Sequence, residues 1–167
     1  MRNPKTGQRL KADLDSLQYA QSIYESVEGI APENIKHGRE SILRGLSGQP
    51  HQIDVSVWGS NDLILIECKH REKRNIGVEM VLTFFGRLYD IRQCFLYNEK
   101  TYTIHGIMVA SMPFDPGAKM VAQYYGIDLQ SSNSVQYFAL KYKNLVVAHP
   151  APLMAMWKTN PVRITQT

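Results

Sequence analysis

The stretch that most constrains this chain is Leu63-Ile64-Leu65-Ile66 running directly into Glu67-Cys68-Lys69. A continuous aliphatic run, entered from the turn-forming residues Gly59-Ser60-Asn61-Asp62, predicts a short strand buried on both faces. Before the turn, Gln52 to Trp58 predicts a partner strand by its alternation. Ile53, Val55 and Val57 fall on one face, and Asp54, Ser56 and Trp58 on the other.

The end of the buried run carries charge. Glu67 and Lys69 stand two apart, so in a strand they point the same way, and Asp54 comes from the neighbouring strand. A charge leaving water is costly unless it is paired or binds a metal. Two converging carboxylates also repel, raising a pKa. A divalent cation between Asp54 and Glu67 removes that penalty, and Mg²⁺ takes such oxygen ligands together with water and phosphate. A lysine beside it can polarise an attacking water and offset developing charge. The plainer alternative is a Glu67–Lys69 ion pair at a strand end with Asp54 as a turn residue. Glu-x-Lys has little specificity alone; the turn, the buried strand and Asp54 together favour a site.

At 167 residues, the chain suits one domain with a core of its own. A net charge of +4 and a pI near 9.1 fit a polyanionic partner without proving one. Cys68 and Cys94 suggest neither a disulfide framework nor a zinc knuckle. No apolar run approaches membrane-spanning length, and Met1-Arg2-Asn3-Pro4-Lys5 does not read as a secretory leader. The expectation is a reducing, cytoplasmic setting without a membrane partner.

In chain order, residues 1–12 form a basic arm, 13–142 the main domain, and 143–167 a C-terminal extension packed on the domain or at an interface. Asp13 to Ser16 can cap a helix running to about Glu28. Ile35 to Gly38 should be extended and lead into an edge strand at Glu40 to Gly45. The run His70-Arg71-Glu72-Lys73-Arg74 at the mouth of the site is either a phosphate clamp or a solvated loop. Gln52, sharing a strand face with Asp54, and His51 could contact phosphate or water. Ile76 to Arg92 should be a helix, with Val78, Val81, Phe85 and Leu88 as its core stripe and Phe84, Tyr89 and Ile91 flanking. Glu79, Thr83, Arg87 and Asp90 should face outward or toward a groove. Thr101 to Ser111 predicts another buried strand, Met112 to Lys119 a turn opening a helix to about Tyr125, and Gly126 to Leu129 and Val135 to Tyr142 further strands.

Asp54 followed by Glu67-Cys68-Lys69 closing a hydrophobic strand resembles the signature of the PD-(D/E)xK nuclease superfamily, with Ile53 where the motif name has Pro. Two further segments resemble its Mrr-like restriction endonuclease branch. One is the glycine-containing approach to Gln52-Ile53-Asp54-Val55. The other is a strand, then Phe114-x-x-Gly117-Ala118, a helix, and Gly126-Ile127-x-Leu129. The resemblance spans about residues 17 to 130. It implies an α/β restriction-endonuclease-like core, a mixed central β-sheet flanked by helices; the Thr101–Ser111 strand should lie parallel to the Glu67 strand because a helix connects them. It implies a metal-dependent endodeoxyribonuclease that uses Mg²⁺ or Mn²⁺, with Asp54 and Glu67 as ligands and Lys69 as the catalytic lysine. Such enzymes often add an acid from the first helix; the usual Phe-Glu is replaced by Ser16-Leu17, which leaves Glu25 as the candidate. The nucleic-acid contacts would be Gln52, His70, Arg71, Lys73 and Arg74, and the partner DNA. A homodimer would supply two sites for cutting both strands, and a partner protein could supply specificity. A Holliday-junction-resolvase-like nuclease and a non-catalytic nucleic-acid-binding domain of the same fold are the alternatives.

Overall fold

The computed structural model describes residues 32–131. The arm at 1–12, the expected helix with Glu25, the expected strand at 135–142 and the extension at 143–167 lie outside the described residues.

The run Asp62–Lys69 (β5) is the centre of a five-stranded sheet. On one side it pairs antiparallel with Val55–Trp58 (β4), which pairs antiparallel with Ile35–His37 (β1). On the other it pairs in parallel with Thr103–Ala110 (β6), and β6 in parallel with Ile127–Ser131 (β7). The order is thus β1-β4-β5-β6-β7. The expected parallel pairing of the two buried strands holds for a topological reason: the helix between them returns the chain to the same end of the sheet.

Residues of β5 alternate between two apolar clusters. Leu63 and Leu65 join Ile104 and Met108 under the helices, and Ile66 and Cys68 join Val55, Val57, Ile107 and Val109 on the opposite face. The reading of a strand buried on both faces is correct. Val78–Tyr97 (α1) and Pro116–Tyr125 (α2) pack on the first cluster. Gly106 lets α1 approach the sheet, because a Cβ there would collide with the Leu88 side chain. The second helix has Pro116 in its first turn and Gly126 in the left-handed conformation (φ 64°) just after its end, which suits its sequence at both termini.

Two expectations need correction. The stretch Gln52–Trp58 is not one strand. Pro50–Gln52 (β3) pairs instead with Ile42–Arg44 (β2) in a separate two-stranded sheet, and β4 begins only at Val55. The 3-10 turn Gly38–Ser41 likewise cuts the expected edge strand, so that Ile35–His37 borders the main sheet and Ile42–Arg44 leaves it. The Ile53 N–H donates to the Ser41 carbonyl at 3.0 Å and the Gly38 N–H to the Asp54 carbonyl at 3.4 Å, so this break is bonded to that turn. Ile53 therefore enters the helix-side cluster, opposite Val55 and Val57.

The first helix also runs five residues beyond the expected Arg92, and its stripe is rotated. Val81, Phe84, Leu88, Ile91 and Phe95 are buried, whereas Phe85 is only partly so and Tyr89 is 49% exposed. No glycine or proline interrupts Arg87 to Tyr97. The helix stops where Asn98 caps it, its side-chain amide donating to the Cys94 carbonyl at 2.7 Å, and where Glu99 turns left-handed at φ 55°. No helix among the described residues is long and apolar enough to cross a membrane.

Candidate active site

The pairing Val55↔Ile66 sets the geometry. Continued by one step, it brings Asp54 opposite Glu67, on the face shared by Leu65 and Lys69. The break before β4 leaves the end of β5 without a strand partner on that side, while β6 continues along the other. The Asp54 carboxylate fills the gap: its Oδ2 accepts the Cys68 N–H at 2.7 Å.

Glu67 lies inside β5 and its side chain is only 5% exposed. Two cations neutralise it. Lys69 Nζ donates to Oε1 at 2.6 Å, and Arg87 Nη1 donates to Oε1 at 3.0 Å and to Oε2 at 3.2 Å. A buried carboxylate needs such partners, because desolvation outweighs what hydrogen bonding alone returns. Glu67 and Lys69, with Glu79, Met80 and Thr83 from the first turns of α1, line a cavity of about 180 Å³ at the end of β5.

Asp54 is the strained member of the group. Burial, and then the charge of Glu67, push its carboxyl up to about 6, against the opposing pull of the Cys68 N–H, Lys69 and Arg87. Cys68 points to the other side of the sheet, as expected from strand alternation. Burial and then the charges of Asp54 and Glu67 push its thiol well above its ordinary value, which makes it a core residue rather than a nucleophile.

Asp54, Glu67 and Lys69 are therefore brought together. The other candidates are placed differently. Gln52 is exposed on β3, beyond the break, and does not share a strand face with Asp54. His51 bonds Asp90 of α1 at 2.7 Å, and Asp90 also accepts the Ser47 N–H at 2.9 Å and the Ser47 hydroxyl at 2.5 Å. That cluster ties the β2–β3 hairpin to the helix. His70 follows Lys69 directly and is half-buried, and Arg71, Lys73 and Arg74 are exposed on the loop after β5. The loop is anchored at its start: the Arg71 N–H donates to the Ser111 hydroxyl at 2.8 Å, that hydroxyl donates to the Arg71 carbonyl at 2.9 Å, and the Ser111 N–H donates to the Lys69 carbonyl at 3.0 Å. Glu25 lies outside the described residues.

The sequence placed Arg87 only outward or toward a groove and did not assign it to the site. A signal exists: Arg87 follows Phe84 by three and precedes Ile91 by four, so it borders the buried side of α1.

The donors suit a hard divalent cation in kind. Asp54 and Glu67 offer carboxylate oxygens from adjacent chain segments, and the burial and, after it, the repulsion from Glu67 that lift the Asp54 carboxyl are what a bound cation offsets. Among the described residues, no group of three or more His, Cys, Asp or Glu side chains gathers to hold a metal. One or two carboxylates are the usual protein contribution to Mg²⁺, with water and phosphate oxygens completing its shell.

No protein-family model and no curated protein matches the chain. Solved structures do. AF1548, a protein of unknown function, aligns with a TM-score of 0.54 at 17% identity, over 84% of this chain and 73% of its own. Can2 from Sulfobacillus thermosulfidooxidans, in complex with cyclic tetra-adenylate, aligns with a TM-score of 0.50 at 16% identity, over 77% of this chain and 34% of its own. A repair endonuclease from Pyrococcus abyssi aligns at a TM-score of 0.41 and 14% identity, over 79% of this chain and 48% of its own. The chain thus spans about a third of Can2. At these identities the likeness is one of fold. Among the described residues the fold is α/β, with β4 and β5 antiparallel, β5, β6 and β7 parallel, and two α-helices against the mixed sheet.

Proposed function

We propose that this chain is a metal-dependent DNA endonuclease of the PD-(D/E)xK type, Mrr-like. The observation that carries the reading is the meeting of Asp54, Glu67 and Lys69 at a break between two central strands, beside a cavity. Asp54 and Glu67 would hold Mg²⁺ or Mn²⁺. When bound, such an ion supplies Lewis-acid polarisation of a phosphodiester. Lys69, two residues along the same strand face as Glu67, would orient the attacking water and offset charge building on the phosphate oxygens. The exposed Arg71, Lys73 and Arg74, next along the chain, would contact backbone phosphates. Cutting both strands of a duplex calls for a second copy of this site, hence a homodimer, and the free thiols of Cys68 and Cys94 fit a reducing, cytoplasmic setting.

One observation favours the alternative of a non-catalytic nucleic-acid-binding domain: Lys69 and Arg87 already neutralise Glu67. Plasmid cleavage separates the two readings. Wild-type protein should nick supercoiled DNA in Mg²⁺ or Mn²⁺ and not in EDTA, and Lys69→Ala should be slower by roughly 10²–10³-fold. If wild type binds DNA but never nicks plasmid, methylated duplex or four-way junction, the non-catalytic reading replaces this one.

A further inference from the structure

We infer that Arg87 is a positioning residue with two partners: it holds Glu67 in the metal-free protein and passes to a phosphodiester oxygen when a divalent cation takes that carboxylate. The inference rests on the nuclease reading above and extends it.

Three features lead to it. The Arg87 Nη1 is forked across both Glu67 oxygens, at 3.0 and 3.2 Å, while Lys69 Nζ touches one of them at 2.6 Å. Glu67 is 5% exposed, so these two cations occupy its approachable side. A divalent cation cannot join them there without strong repulsion between like charges a few ångströms apart. One of the two must withdraw.

Arg87 is the one built to do so. Lys69 stands in a central strand, its main chain held against β6 by the pairing with Ala110 and by the Ser111 N–H that its carbonyl accepts at 3.0 Å. Arg87 reaches across from a helix, and its side chain is 35% exposed. It extends the row Glu79, Thr83, Arg87 at four-residue spacing, and the first two of these line the cavity. Among the described residues Arg87 bonds through Nη1 alone, leaving Nε and Nη2 to donate. A planar guanidinium with a free edge matches phosphate in two-point fashion, which an ammonium does not.

The test measures Mn²⁺ binding to the full chain without DNA, by the electron paramagnetic resonance signal of free Mn²⁺. It also measures binding of a DNA duplex in Ca²⁺. Arg87→Ala should bind Mn²⁺ about three- to tenfold more tightly than wild type, because a competing cation is gone. It should bind the duplex about tenfold more weakly, because a phosphate contact is gone. Arg87→Lys keeps the charge and loses the fork, so it should fall between the two in both measurements. Unchanged or weaker Mn²⁺ binding in Arg87→Ala, with a native thermal melt, overturns the inference and leaves Arg87 a purely structural partner of Glu67. Should Arg87→Ala fail to fold, Arg87→Lys decides: tighter Mn²⁺ binding supports the inference, and unchanged or weaker binding overturns it. Absence of Mn²⁺ binding by wild type strikes the nuclease reading itself, an outcome distinct from binding that ignores Arg87.

Discussion

Asp54 and Asp90 each join a loop to a neighbouring element through a carboxylate, and their carboxyls shift in opposite directions. Asp90 gathers donors: the Ser47 hydroxyl, His51 and the Ser47 N–H bring it down to about 2. Asp54 has one close donor, the Cys68 N–H, and faces burial and Glu67, which bring it up to about 6. The first is an acid whose surroundings were completed by the chain. The second is an acid whose surroundings call for a positive charge. That contrast is what singles out Asp54 as the candidate cation ligand, and the number of nearby hydrogen bonds would not do so, since Glu67 beside Asp54 is well bonded too.

The largest effect that would sharpen the contrast is on pH dependence. Asp54 has a folded-state pKa above its ordinary 3.8, so its ionisation opposes folding. In EDTA the protein should lose stability as pH rises from about 4 through about 6, by ~3 kcal/mol from this group. Asp90 works the other way: its contribution is complete above the ordinary 3.8 and is lost only as pH falls through about 2. Urea unfolding at a series of pH values checks both, and a monotonic rise in stability from pH 4 to 7 would break the account of Asp54.

A smaller effect attends the clamp. Asp90→Asn keeps one acceptor oxygen and loses the other, so it should destabilise the protein by about 1 kcal/mol while leaving plasmid cleavage at the wild-type rate. A cleavage defect of tenfold or more would mean that the β2–β3 hairpin serves the site directly. Smallest of all, Glu99 is exposed and left-handed at φ 55° after α1. Glu99→Gly should raise stability by about 0.5–1 kcal/mol in the same unfolding experiment.

The contrast also marks what could be read from the chain. Glu67 and Lys69 were legible because a two-residue spacing at the end of an apolar strand has one geometric meaning. The break at Ile53 was not legible, since Ile53, Val55 and Val57 keep a period of two straight through it. Only a contact far along the chain, between Ile53 and Ser41, redirects the strand. The first helix offered adjacent phenylalanines, Phe84 and Phe85, with equal claims to the core. Choosing Phe85 turned the helix by about one residue and left Arg87 without an evident partner. Packing chose Phe84, through the close approach at Gly106. The partnership of Asp90 with Ser47 and His51 depends on the same rotation and on a hairpin that local pattern did not reveal.

The central claim is that Asp54 and Glu67 form a cation site, and Asp54→Asn tests it most directly. Thermal unfolding of wild type and of this variant should be followed at pH 8, in EDTA and in Mn²⁺. In EDTA the variant should melt higher than wild type, because a neutral amide still accepts the Cys68 N–H and no longer repels Glu67. In Mn²⁺ the wild type should gain stability and the variant should not. A variant that gains as much from Mn²⁺ as wild type, or a wild type that Mn²⁺ leaves unmoved, would contradict the claim.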